Sequence, residues 1–135
     1  MKIRNLLLTA AAVTTAAVVM TSGGSADDVM TRSADGTYVV NTTTLAPTVK
    51  GYAGATPLKI HIKNDRIVKI EALPNRESHN VFLRAEKGLF GKWTGKQVGK
   101  ASKLKVDAVS GATYSSNAIK ENVKRGLAYY RKHKK

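Results

Sequence analysis

The sequence predicts an α+β domain: a small antiparallel sheet with helices packed against it. Three observations carry that expectation. Leu58, Ile60 and Ile62 alternate with Lys59, His61 and Lys63, a period of two that gives a strand one apolar and one wet face. Asn64-Asp65 is turn chemistry, and Arg66 to Leu73 resumes strand character, which makes a β-hairpin. Further on, Ala118 to about Tyr130 places Ile119, Val123, Leu127 and Tyr130 on one face of a helix.

The chain starts with a basic stretch, Met1-Lys2-Ile3-Arg4-Asn5, followed by an uncharged run from Leu6 to Met20 and a small-residue exit, Thr21 to Ala26. That order predicts a secretory signal peptide over 1–26, cut before Asp27. An uncleaved membrane anchor is the alternative, although a span takes about 20 apolar residues and Leu6–Met20 is shorter and rich in Ala and Thr. Residues 27–35 are polar, lack periodicity and read as a flexible leader; 36–135 then form the domain. Cysteine is absent, so disulfides, thiolate chemistry, iron–sulfur ligation and a lipid-modified cysteine in the exit segment are excluded. A cysteine-free exported domain must rest on an ordinary hydrophobic core, feasible at about 110 residues.

Within the domain, Thr37 to Thr44 is rich in β-branched and aromatic residues and reads as a strand. Pro47 interrupts, and Gly51-Tyr52-Ala53-Gly54 is a turn-prone corner. Residues 77–90 carry Val81, Phe82, Ala85, Leu89 and Phe90 at helical spacing, with Glu77 and Ser78 where helix starts are favoured. Gly88 to Lys105 holds four glycines, is rich in lysine, and reads mostly as loop. Val106 to Val109 is a short apolar approach to the next turn. Ser115 or Ser116 is the expected N-cap of the last helix, and Arg131 to Lys135 set cations at its C-terminus, where the dipole favours them.

Charge narrows the partners. The chain has 23 basic and 9 acidic residues, a net of +14; without Lys2 and Arg4 the balance is 21 − 9 = +12. Such an excess favours anionic partners: phosphate groups, anionic lipid, nucleic acid or an acidic redox protein. The alternative function is an exported basic binding module for nucleic acid or another polyanion; against nucleic acid, aromatics for base stacking are few and not interleaved with the lysines of 87–105. His61, His79 and His133 are too scattered for a metal site.

The chemistry concentrates in Ser110-Gly111-Ala112-Thr113-Tyr114-Ser115-Ser116. Small residues before a helix let several backbone N–H groups converge on one point, an arrangement that binds phosphate. Three hydroxyls, on Thr113, Ser115 and Ser116, share the turn. A plain Ser/Thr cap on an amphipathic helix explains the same residues.

Asp107 to Ser116 resembles the flavinylation motif of the FMN-binding domain family, which includes covalent flavin subunits of sodium-translocating quinone reductase and small exported flavoproteins. That motif is Ser/Thr-Gly-Ala-Thr/Ser, any residue, then Thr or Ser, preceded by an Asp. A second block agrees: Gly51-Tyr52-Ala53-Gly54, the hairpin, and then Glu77-Ser78 are similar to the family's Gly-Tyr-Gly-Gly, strand pair and Glu-Thr/Ser. The resemblance covers about 36–130 and implies FMN joined by a phosphodiester to Ser115, which stands where the family most often has Thr. Thr113 and Ser116 are fallback acceptors, and Ser110, Gly111, Ala112, Tyr114, Asp107 and Glu77 are the surrounding cofactor-binding residues. The motif turn then opens the C-terminal helix.

The resemblance further implies maturation by a FAD:protein FMN transferase, and electron exchange with a membrane or extracytoplasmic redox partner, in the periplasm or at the cell surface. The +12 balance adds the membrane surface as an expected partner. A redox carrier is expected over a stand-alone enzyme, since no substrate site is marked. Trp93 and Tyr114 are the candidates for stacking on the ring, against ordinary packing. Asp107 is expected to fix the turn or orient the hydroxyl for the transferase.

Overall fold

A computed structural model describes residues 29–135; the expected signal peptide, 1–26, lies outside the described residues. Four antiparallel strands run in chain order across one sheet: β1 Met30–Arg32, β2 Tyr38–Asn41, β3 Leu58–Lys63 and β4 Arg66–Ala72. Three helices follow, α1 His79–Trp93, α2 Val98–Lys103 and α3 Thr113–His133. The architecture is α+β, as the periodicities predict.

The β3–β4 hairpin forms as expected. Asn64 and Asp65 both take left-handed backbone, φ 53° and 61°, which a two-residue turn of the right twist demands and which Asn and Asp tolerate best after Gly. Leu58, Ile60 and Ile62 are fully buried while Lys59, His61 and Lys63 face the wet side. The partner strand is less regular. His61 pairs with Lys69 but Ile62 pairs with Ile67, so Val68 has no opposite number. This bulge turns Val68 outward, 47% exposed, and lets Ile67 and Ile70 both reach the core although three positions apart.

Two stretches differ from the sequence reading. Within the polar 27–35 segment, Met30–Arg32 is an edge strand paired with Tyr38–Val40. Only Met30 packs against the core, so no apolar alternation betrays it. The lysine- and glycine-rich 88–105 stretch is mostly helical: α1 runs to Trp93 and α2 occupies 98–103. Phe82, Ala85, Leu89 and Trp93 are the buried stripe of α1, while Gly91 and Gly99 sit in helices with open space around them and do not act as breakers. Only the Thr94–Gln97 link, with Gly95 at φ +87°, is non-helical between them.

The helix α3 lies across the sheet. Ile119, Val123, Leu127 and Tyr130 are buried, as expected, and a Cβ on Gly126 would stand 2.6 Å from Ile60 Cδ1 and 3.0 Å from Thr42 Cγ2. Each buried Ile or Leu on this face contributes about 1.5–3 kcal/mol. One polar group is built into the contact: Asn122 accepts from Thr42 Oγ1 (2.6 Å) and donates to the Ala118 carbonyl (2.9 Å), and Thr42 Oγ1 accepts from Leu58 N–H (2.9 Å). At its far end, Tyr130 packs edge-on against Tyr38. Its hydroxyl donates to Asp65, which also takes Lys134. The result is a 21-residue helix, about 30 Å long, fixed at both ends.

Candidate functional site

The turn before β3 makes an anion nest. Gly51 N–H donates to the Gly54 carbonyl (2.8 Å), which leaves the next three N–H groups pointing the same way. All three donate to one carboxylate: Tyr52 N to Glu77 Oε1 (2.8 Å), Ala53 N and Gly54 N to Oε2 (2.6 and 3.2 Å). Gly51 is required by close approach, because a Cβ there would overlap Glu77 Oε1. Asn75 Oδ1 holds the Glu77 N–H (3.0 Å). The first Gly of the block and the Glu 26 positions later are therefore one unit.

Glu77 is 8% exposed. Burial pushes its carboxyl up, but the Ser115 hydroxyl and the N–H groups of Ala53, Tyr52 and Gly54 together outweigh this and hold it below its ordinary value. It does not begin α1, which follows Ser78 and has no side-chain cap bond.

The second half of the site is the entry to α3. Ala112 N–H donates to the Val109 carbonyl (2.9 Å), and Gly111 takes φ +80°, a conformation that favours glycine. The helix starts at Thr113 with Ala112 in the cap position and without a capping side chain or an acidic residue in its first turn. Neither Ser115 nor Ser116 is the N-cap, contrary to expectation: both sit inside the first turn, where their hydroxyls are drawn elsewhere. Ser116 Oγ, fully buried, accepts from Val109 N–H (3.0 Å) and fastens the approach segment to the helix. Ser115 Oγ donates to Glu77 Oε1 at 2.5 Å. No side chain caps the first N–H groups of α3, and the Glu77 carboxylate reaches its first turn through the Ser115 hydroxyl.

These pieces share one pocket of about 280 Å³, whose walls include Tyr52, Glu77, Val81, Gly111, Tyr114 and Ser115, with Ala112 and Thr113 at the helix start. Tyr52 and Tyr114 are 84% and 66% exposed, with ring centroids 6.0 Å apart. Arg84, on α1, lies against the turn: a Cβ on Gly111 would meet its Nη1 at 2.8 Å.

Of the residues singled out by sequence, Ser115, Glu77, Gly111, Ala112, Thr113 and Tyr114 come together here. Ser110 is exposed on the turn, Ser116 is committed to Val109, and Asp107 is exposed on the wall of a separate groove of about 540 Å³, beside Lys105 and Lys120. Trp93 is 3% exposed and belongs to the core, so it packs instead of offering a stacking face at this pocket. Sequence reasoning missed Arg84, for which no local pattern exists, and Tyr52 as a wall, although its place beside the Gly51 corner was a usable signal. His61 pairs with Glu71, and among the described residues no cluster of side chains has the makings of a metal site.

An uncapped helix start, a buried hydroxyl and exposed aromatic rings in one pocket suit a ligand with a phosphate and a flat ring. The family model of the FMN-binding domain matches residues 51–128, more than half of the chain. The chain belongs to the FMN-binding domain family. The match opens on the Gly51 nest and ends within α3, so it spans both halves of the site, while β1 and β2 precede it. No curated protein matches the chain. The residues present fit FMN: the start of α3 and Arg84 offer positive charge to its phosphate, and the Tyr52–Tyr114 pair offers aromatic surface to its ring.

Proposed function

We propose that this FMN-binding domain carries its FMN covalently, through a phosphodiester to Ser115, and serves as an extracytoplasmic electron carrier. The observation that supports this best is the meeting of Ser115 with the uncapped start of α3 in one pocket. A phosphodiester there keeps one negative charge, which the helix N-terminus and Arg84 stabilise. Bound FMN supplies the one- and two-electron redox chemistry. The protein's share is position and electrostatics: Gly111 and Ala112 keep side chains out of the way, and Tyr52 and Tyr114 flank the ring site.

Location gives the covalent bond its purpose. The 1–26 segment reads as an export signal or anchor, and outside the cytoplasm a tethered cofactor does not need a pool of free FMN. The transferase that matures the domain acts in trans, with FAD as its substrate. Exchange then runs with a membrane or extracytoplasmic redox partner, with anionic groups favoured by the +12 balance. The test is purification from the extracytoplasmic fraction of a host holding the transferase. The expected product is yellow, keeps its flavin through denaturation and precipitation, and bleaches and recolours with reductant and oxidant. Flavin released on denaturation contradicts the covalent reading.

A further inference from the structure

We propose that Glu77 is the base for the domain's own flavinylation: it takes the Ser115 proton as the hydroxyl is joined to phosphorus. The inference rests on the reading of Ser115 as the acceptor. Glu77 Oε1 accepts from Ser115 Oγ at 2.5 Å, within the reach a general base needs. Its other oxygen is tied to the Ala53 and Gly54 N–H groups, and Tyr52 N–H shares Oε1. The carboxylate is thus fixed in orientation before any partner arrives.

The same geometry selects among the three candidate acceptors, Thr113, Ser115 and Ser116. Ser115 and Ser116 are equally buried, 1% and 0% exposed, but Ser116 Oγ is held by Val109 N–H. Thr113 is exposed at the helix start. Among the described residues, Ser115 is the hydroxyl of this turn that donates to a carboxylate. A serine hydroxyl is a weak nucleophile until an adjacent base draws off its proton, so contact with Glu77 outweighs the easier access of Thr113.

The step balances without redox change. The Ser115 Oγ–P bond forms at the FMN-side phosphorus of FAD, and the bond from that phosphorus to the bridging oxygen breaks. AMP leaves with that oxygen, while the Ser115 proton passes to Glu77 and on to solvent.

The test follows the gain in mass of the purified full chain with excess transferase, FAD and Mg²⁺. Wild type is expected to gain the FMN increment, and Glu77→Gln, which keeps the shape of the side chain, to gain it at least about 100-fold more slowly while retaining a cooperative melt. Formate added to Glu77→Ala is expected to restore part of the rate. Ser115→Ala supplies an independent arm if the Glu77 variants lose their fold: no adduct is expected on Thr113 or Ser116. A wild-type chain that gains no mass overturns the acceptor reading itself. A modified wild type with Glu77→Gln at an equal rate, or an adduct that moves to Thr113 in Ser115→Ala, overturns the role of Glu77 alone.

Discussion

Gly51→Ala isolates the coupling between the nest and the carboxylate. Gly51 does not have a left-handed backbone, so alanine is not strained by conformation; the whole effect comes from the new Cβ overlapping Glu77 Oε1. The carboxylate must withdraw, and Oε1 loses the Tyr52 N–H and the Ser115 hydroxyl. Hydrogen bonds to a charged group contribute about 1.5–3 kcal/mol each. Partial recovery through water at the pocket mouth brings the expected loss to about 2–4 kcal/mol. Urea denaturation measures it as a lower midpoint with unchanged slope. The decisive comparison is a double-mutant cycle with Glu77→Ala: once the carboxylate is gone, Gly51→Ala should cost less than about 0.5 kcal/mol, as for uncoupled sites. An equal cost in both backgrounds refutes the steric argument.

Three further outcomes follow from the same contacts. Gly126→Ala forces a methyl toward Ile60 Cδ1 and Thr42 Cγ2, so it should destabilise by about 1–3 kcal/mol, and Ile60→Val, which deletes Cδ1, should recover part of that in a thermal melt. The Tyr130 hydroxyl and then Lys134 hold the Asp65 carboxyl below its ordinary value. A depressed acid stabilises the fold above its unfolded pKa and loses that contribution as pH falls through the folded one, so Tyr130→Phe should flatten the acid limb of stability against pH. Ser115→Thr keeps a hydroxyl on the same backbone position and should still take FMN, read as protein-bound absorbance after denaturation, whereas loss of colour in this variant would mean that the added methyl does not fit beside Glu77.

Much of this was legible where local pattern and burial agree. The β3 alternation and the stripe of α3 report directly which side chains meet the core, and the structure places them there. The bulge at Val68 was not legible, because Arg66-Ile67-Val68-Lys69-Ile70 fits a plain strand as well. Strand β1 is held mainly by backbone pairing to β2, which leaves little trace in side-chain pattern. Helix α2 buries only Val98 and Ala101, too short a stripe to stand out among lysines and glycines. At the site, the motif residues were visible, but the helix start was misjudged because Ser115 and Ser116 have good capping chemistry and spend it on Glu77 and Val109. The overlap that forbids a side chain at Gly51 joins positions 26 apart, and only the folded chain brings them together.

The central claim is covalent FMN at Ser115, and mass spectrometry tests it most directly. Chain matured with the transferase should gain on the order of 440 Da, FMN less the water lost on ester formation, and peptide mapping should place the gain on Ser115. No gain after verified exposure to transferase and FAD, or a gain mapped to another residue, would contradict it.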